Sequence, residues 1–113
     1  MTYTLLLYWE PGTGPQEGTP ELEAEFERWD AITEEMREAG VLVLNEALNF
    51  RETAVTLSGT DGALKRRDGD ALGAPDALFG FYVLNVDSED EAIRWAERMP
   101  HLDYGSVEVR PSM

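Results

Sequence analysis

The chain has 113 residues, a formal net charge of −14 at pH 7 and no cysteine. With 23 acidic residues against 9 basic ones and a single histidine, phosphate-directed binding of nucleic acid, docking on anionic membranes, thiol or disulfide chemistry and a multi-histidine metal site within one chain are all excluded. A hydrophobic content of 42% and an aromatic content of 10% instead fit one folded domain over residues 1–113, burying roughly two thirds of its unfolded surface.

Met1 to Glu10 lacks a positive leading segment and a small-residue cleavage site, and its apolar run is too short for a bilayer. A cytoplasmic location is expected. Tyr3 to Trp9 reads as a buried strand. Pro11 to Pro20 carries Gly12, Gly14 and Gly18 and is a loop. Thr19-Pro20-Glu21 then supplies a helix cap, a first helical residue and an acidic first turn. Leu22, Phe26, Trp29, Ile32 and Met36 follow at helical spacing up to a stop at Gly40. Acidic residues crowd this helix, Glu25 among them, and read as its solvated face.

Val41 to Leu48 is a second strand and Thr53 to Leu57 a third. Thr60-Asp61-Gly62 is a turn signal, Ala63 to Lys65 a short returning strand, and Arg66 to Ala77 a loop rich in Gly, Asp and Pro. Phe79 to Val86 is strongly apolar. Ser88 and Glu91 form a capping box opening a second helix, whose apolar face is Ala92, Trp95, Ala96 and Met99, and Pro100 ends it. Tyr104 to Val109 is the last strand.

The order β-α-β, hairpin insert, β-α-β predicts a ferredoxin-like α+β sandwich, with both helices on one face of an antiparallel sheet. A sheet with one wet face should alternate apolar and polar residues, but two strands do not. Leu6 and Tyr8 oppose Leu5, Leu7 and Trp9, and Phe79, Phe81 and Val83 oppose Tyr82, Leu84 and Val86. A second copy of the chain is the economical cover for the remaining face, giving a two-fold homodimer packed sheet to sheet. The alternative is that the two long loops fold over it.

The stretches Tyr3-Thr4-Leu5-Leu6-Leu7-Tyr8, Gly40-Val41-Leu42-Val43, Glu46-Ala47-Leu48, Asp68-Gly69, Gly80-Phe81-Tyr82-Val83-Leu84, Asp90-Glu91-Ala92-Ile93 and Gly105-Ser106-Val107-Glu108-Val109-Arg110-Pro111 together resemble the YCII-related proteins, in particular the branch named for an Asp-Gly-Pro-Phe motif. The resemblance implies a dimeric α/β barrel. It also brings in sigma-factor fusions of some members and a relative associated with dehydrochlorination of a chlorinated hydroxyquinol. Asp70 and Ala71 stand where the branch has Pro and Phe, which predicts a looser loop. The family's proposed active-site histidine on the first helix is missing, Arg28 and Trp29 occupying that part of it.

Four residues are candidates for ligand contact. Glu46, a carboxylate inside an apolar strand, and Asp68, before a glycine in the motif loop, are candidate bases; the alternatives are a solvated Glu46, or one paired with Arg51 or Arg110, and a turn-forming Asp68. Tyr8 and Tyr82 offer hydroxyls from central strands or belong to core and interface. His101 reads as a solvated loop residue with Asp103 in reach, and Trp9, Trp29 and Trp95 as core. No cofactor or metal is expected. The leading expectation is a homodimer that holds a small organic ligand in the cleft between its sheets. The alternatives are a lyase of dehydrochlorinase type with a carboxylate base, and an accessory module in sigma-factor-linked transcription.

Overall fold

A computed structural model describes residues 1–113, the side chain of Thr60 excepted. The elements are β1 (Thr2–Trp9), α1 (Pro20–Glu38), β2 (Leu42–Ala47), a 3-10 turn (Arg51–Thr53), β3 (Val55–Thr60), β4 (Ala63–Asp68), β5 (Ala77–Asn85), α2 (Glu89–Ala96) and β6 (Gly105–Pro111). Four strands form one antiparallel sheet in the order β2-β5-β1-β6, and β3 with β4 forms a separate two-stranded sheet. This is the ferredoxin-like arrangement with a hairpin inserted between its second and third sheet strands.

The helix ends follow local chemistry. The Thr19 hydroxyl accepts from the Leu22 N–H at 3.3 Å, and Pro20 follows as the first helical residue. Gly40 leaves α1 with φ +74°, which favours glycine. The Ser88 hydroxyl accepts from the Glu91 N–H, while the Glu91 carboxylate accepts from the Asp87 N–H rather than from Ser88. Asp61 and Gly62 both have positive φ, 54° and 76°, as a two-residue hairpin turn of right-handed twist requires.

Several boundaries differ from the sequence expectation. The third strand begins at Val55, because Phe50 O accepts from both the Thr53 N–H and its hydroxyl and closes a turn. Arg66 to Asp68 continue the returning strand against Leu57, Thr56 and Val55. The second helix stops at Ala96, short of Pro100.

Tyr3, Leu5 and Leu7 of β1 pack with Tyr82, Leu84 and Val86 against Ile32 and Met36 of α1 and Ala92 and Ala96 of α2. Leu5, Met36 and Leu84 are fully buried, each contributing roughly 1.5–3 kcal/mol of transfer free energy. Both helices thus cover one face, as expected. The register places Leu6, Tyr8, Leu44, Glu46, Phe81 and Val83 on the other, where they stay half-buried or exposed.

Candidate functional site

A cavity of about 580 Å³ opens on the helix side of the sheet. Its walls come from the N-terminal half of α1, the loop 11–18, the end of β1, the start of β5 and the segment 47–51. The cavity lies within one chain and is separate from any cleft between the sheets of two copies. The reason is local: the Gly-rich loop arches over the open end of the sheet without filling it.

Trp9, Trp29, Phe79 and Tyr104 supply aromatic walls, and Phe26 and Phe50, 56% and 65% exposed, add two more rings. Phe79 is aimed there by a bulge. Leu7 pairs with Gly80 and Tyr8 with Leu78, so Phe79 is an extra residue in β5. Its ring stands edge-on to Trp9 and Trp29, 6.0 Å from each. The loop is shaped by Trp9 Nε1 donating to Thr13 O at 3.2 Å and by Gln16 Nε2 donating to the carbonyls of Gly12 and Gly14. Gly14 rests on the Tyr104 ring, where a Cβ would come within 2.6 Å.

Glu25 is the buried carboxylate of this wall, 4% exposed. The Tyr104 hydroxyl lies 2.7 and 2.6 Å from its two oxygens, and Trp29 Nε1 donates to Oε2 at 3.3 Å. Among the described residues no basic side chain pairs with it. Burial, then the bonded Glu25 carboxylate, pushes the Tyr104 hydroxyl well above its usual range, so it stays a donor at neutral pH.

His101 lies behind this wall and is fully buried. Its ring sits against Trp29 at 5.3 Å and meets Phe79 edge-on at 5.0 Å. Nε2 is 2.9 Å from Ser106 O. A carbonyl only accepts, so Nε2 carries the proton and Nδ1 is left as a buried acceptor without a partner. Burial holds its pKa below the ordinary value, outweighing the carbonyl contact with Ser106 and the charge of Glu25. The ring lies directly on Gly105, where a Cβ would collide with it and come within 2.5 Å of Tyr8 O.

None of the four residues singled out from sequence lines this cavity. Tyr82 is buried on the helix side, its hydroxyl 2.6 Å from that of Thr33 and its ring stacked 6.5 Å from Trp29. Tyr8 and Glu46 share the outer face, where Glu46 is exposed; Arg51 and Arg110 pair with Asp70 and Glu108 instead. Asp68 is exposed at the end of β4, followed by a turn anchored by Gly69 N–H donating to Ala54 O at 2.8 Å. The loop after it is bonded to the 3-10 turn. Asp70 binds Arg51, whose guanidinium also donates to the carbonyls of Ala74 and Pro75.

Three further expectations are corrected. His101 is buried rather than solvated, Glu25 belongs to the inner rather than the solvated face of α1, and Trp9 and Trp29 wall a cavity rather than only filling the core. Glu25 had a signal in the sequence, since it stands three residues after Leu22 and four before Trp29, on the apolar stripe itself. Its bond to Tyr104 spans 79 residues and had none.

A family model described as the YCII-related domain matches residues 1–113. No curated protein matches the chain. Among solved structures it is similar to the 5-chloro-2-hydroxyhydroquinone dehydrochlorinase TftG from Burkholderia phenoliruptrix AC1100, in complex with 2,5-dihydroxybenzoquinone. The likeness has a TM-score of 0.52 and 14% identity over 100% of this chain and 94% of that one, and it bears on the fold.

Proposed function

This chain belongs to the YCII-related domain family, and from that premise and the make-up of the cavity we propose that it binds a small planar organic molecule between α1, the loop 11–18 and the ends of β1 and β5. One observation carries the reading: a cavity of about 580 Å³ walled by aromatic rings, with a single buried carboxylate held in place by two donors. Small-molecule sites have this form, mostly apolar with a few fixed polar groups. A titration with indole as a neutral planar probe, followed by two-dimensional NMR, should move the indole N–H signals of Trp9 and Trp29 and the backbone of residues 12–16. Those signals staying still up to millimolar concentration with indole and with the charged and uncharged aromatic probes described below would overturn the proposal.

The working form on this reading is a homodimer joined through the outer sheet face, where Tyr8 and Glu46 meet the partner and line any second cleft between the sheets. No helix is long and apolar enough to cross a membrane among the described residues, and a cytoplasmic location goes with the proposal. Assignment to the Asp-Gly-Pro-Phe branch rests, within that motif, on Asp68 and Gly69 alone.

The position of Glu25 on the cavity wall favours a second reading, lyase chemistry of the kind named for the structural neighbour. The carboxylate would take a proton from a bound substrate as chloride leaves. Glu46 and Asp68, outside the cavity, do not share that position. Repeating the titration with a chlorinated hydroquinone and assaying released chloride separates catalysis from binding.

A further inference from the structure

The cavity is unbalanced in charge. Glu17, Glu23 and Glu25 line it, and Arg51 is its one basic lining residue among those described. The Arg51 guanidinium is already committed to the Asp70 carboxylate and to the carbonyls of Ala74 and Pro75. Arg28, exposed on α1, makes no ion pair with Glu25 among the described residues, although its charge reaches the Tyr104 hydroxyl. Glu25 is therefore a carboxylate 4% exposed whose only protein donors among the described residues are one phenol and one indole N–H. A carboxylate has about four acceptor positions, and removing it from water without a cation is costly. The same cavity is walled by indole, phenol and phenyl rings, of which Phe26 and Phe50 are the most exposed, and aromatic faces carry negative potential.

We propose that the ligand of this cavity is an organic cation, an ammonium or protonated nitrogen heterocycle on an apolar body, held by the aromatic walls and by the Glu25 carboxylate. This rests on the binding reading above and adds the class of ligand to it. Rings around a positive centre attract it more strongly once water is excluded, and a buried carboxylate adds the counter-charge. A metal ion does not fit the same wall, because among the described residues no three acidic or histidine groups gather to hold one. An anionic ligand would meet three carboxylates, and the one guanidinium that lines the cavity, Arg51, is already bonded.

The test uses three probes of similar size on the unaltered chain: benzyltrimethylammonium, its uncharged isostere neopentylbenzene, and the anion 3-phenylpropionate, each followed by NMR at the signals of the Trp9 and Trp29 indoles. The cation is expected to bind about tenfold or more tightly than the isostere, and the anion not at all below millimolar concentration. In Glu25→Gln the ratio of cation to isostere affinity should fall most of the way to one. Equal binding of cation and isostere, or stronger binding of the anion, overturns the cation reading and leaves the cavity reading standing. If indole and all three probes leave these signals unmoved, both fail. An unchanged preference in a folded Glu25→Gln removes Glu25 from the proposal, and the comparison on the unaltered chain decides the rest even if that variant does not fold.

Discussion

His101 illustrates how a single side chain changes meaning between sequence and structure. As the only histidine, just after Pro100, it reads as a loop residue open to water. In the fold it is enclosed by Trp29, Phe79, Tyr104 and Gly105. Its pKa is depressed by burial, so the unfolded chain binds a proton that the folded chain refuses. The stability this contributes is complete above the unfolded value near 6.5 and is lost as pH falls below it towards the folded pKa. Urea melts between pH 5 and 8 should show stability falling below about pH 6.5, with part of that slope gone in His101→Gln; identical slopes would contradict it. Glu25 was partly legible, since helical spacing places it on the buried stripe. Charge alone put it among the solvated acids, and only the approach of Tyr104 explains why a carboxylate is kept there.

At the scale of elements, caps, turn glycines and periodicity carried most of the information. Thr19, Gly40, Ser88 and the Asp61-Gly62 turn all act locally, so their roles can be read from neighbours in the chain. The errors fell where a long-range partner decides. Arg66 to Asp68 look like loop from composition, yet β3 supplies hydrogen-bonding partners and extends them as strand. The segment 69–76, whose composition fits an ordered or a mobile loop alike, is tied to Arg51 on the 3-10 turn. Replacing Arg51 with Ala removes every one of those ties and leaves Asp70 without its partner. Limited proteolysis should then cut within residues 69–76 faster than in the unaltered chain, while the core strands keep their hydrogen-exchange protection. No change in the cleavage rate would mean that the loop is held by something else.

Taken whole, the molecule is flat, with extents of 47 × 39 × 18 Å. Its radius of gyration of 16.0 Å exceeds the roughly 13 Å expected of a compact domain of this length. The separate hairpin and a sheet covered on one side only account for that shape. Leu6, Phe81 and Val83 on the open face are half-buried, and Leu44 is 46% exposed. An apolar sheet face of this kind favours a second copy, and the ion pair between Glu108 and Arg110 lies on the same face. Light scattering at micromolar concentration should give twice the mass of the chain, and Phe81→Glu should return it to a monomer that keeps the cavity. A monomer in the unaltered protein would refute the dimer while leaving the binding proposal intact.

The sequence by itself determined what depends on neighbours along the chain: the helices, the strand order in time, the turns, the two-sided apolar strands and, through whole-chain resemblance, the family. The tertiary structure decided what depends on which distant residues meet. It brought Tyr104 to Glu25, buried the only histidine behind Trp29, turned Phe79 inward at a bulge, and opened the cavity beneath the glycine loop. Hydrophobic periodicity records which face of an element is inside, but it does not record which side chain from another element it will find there.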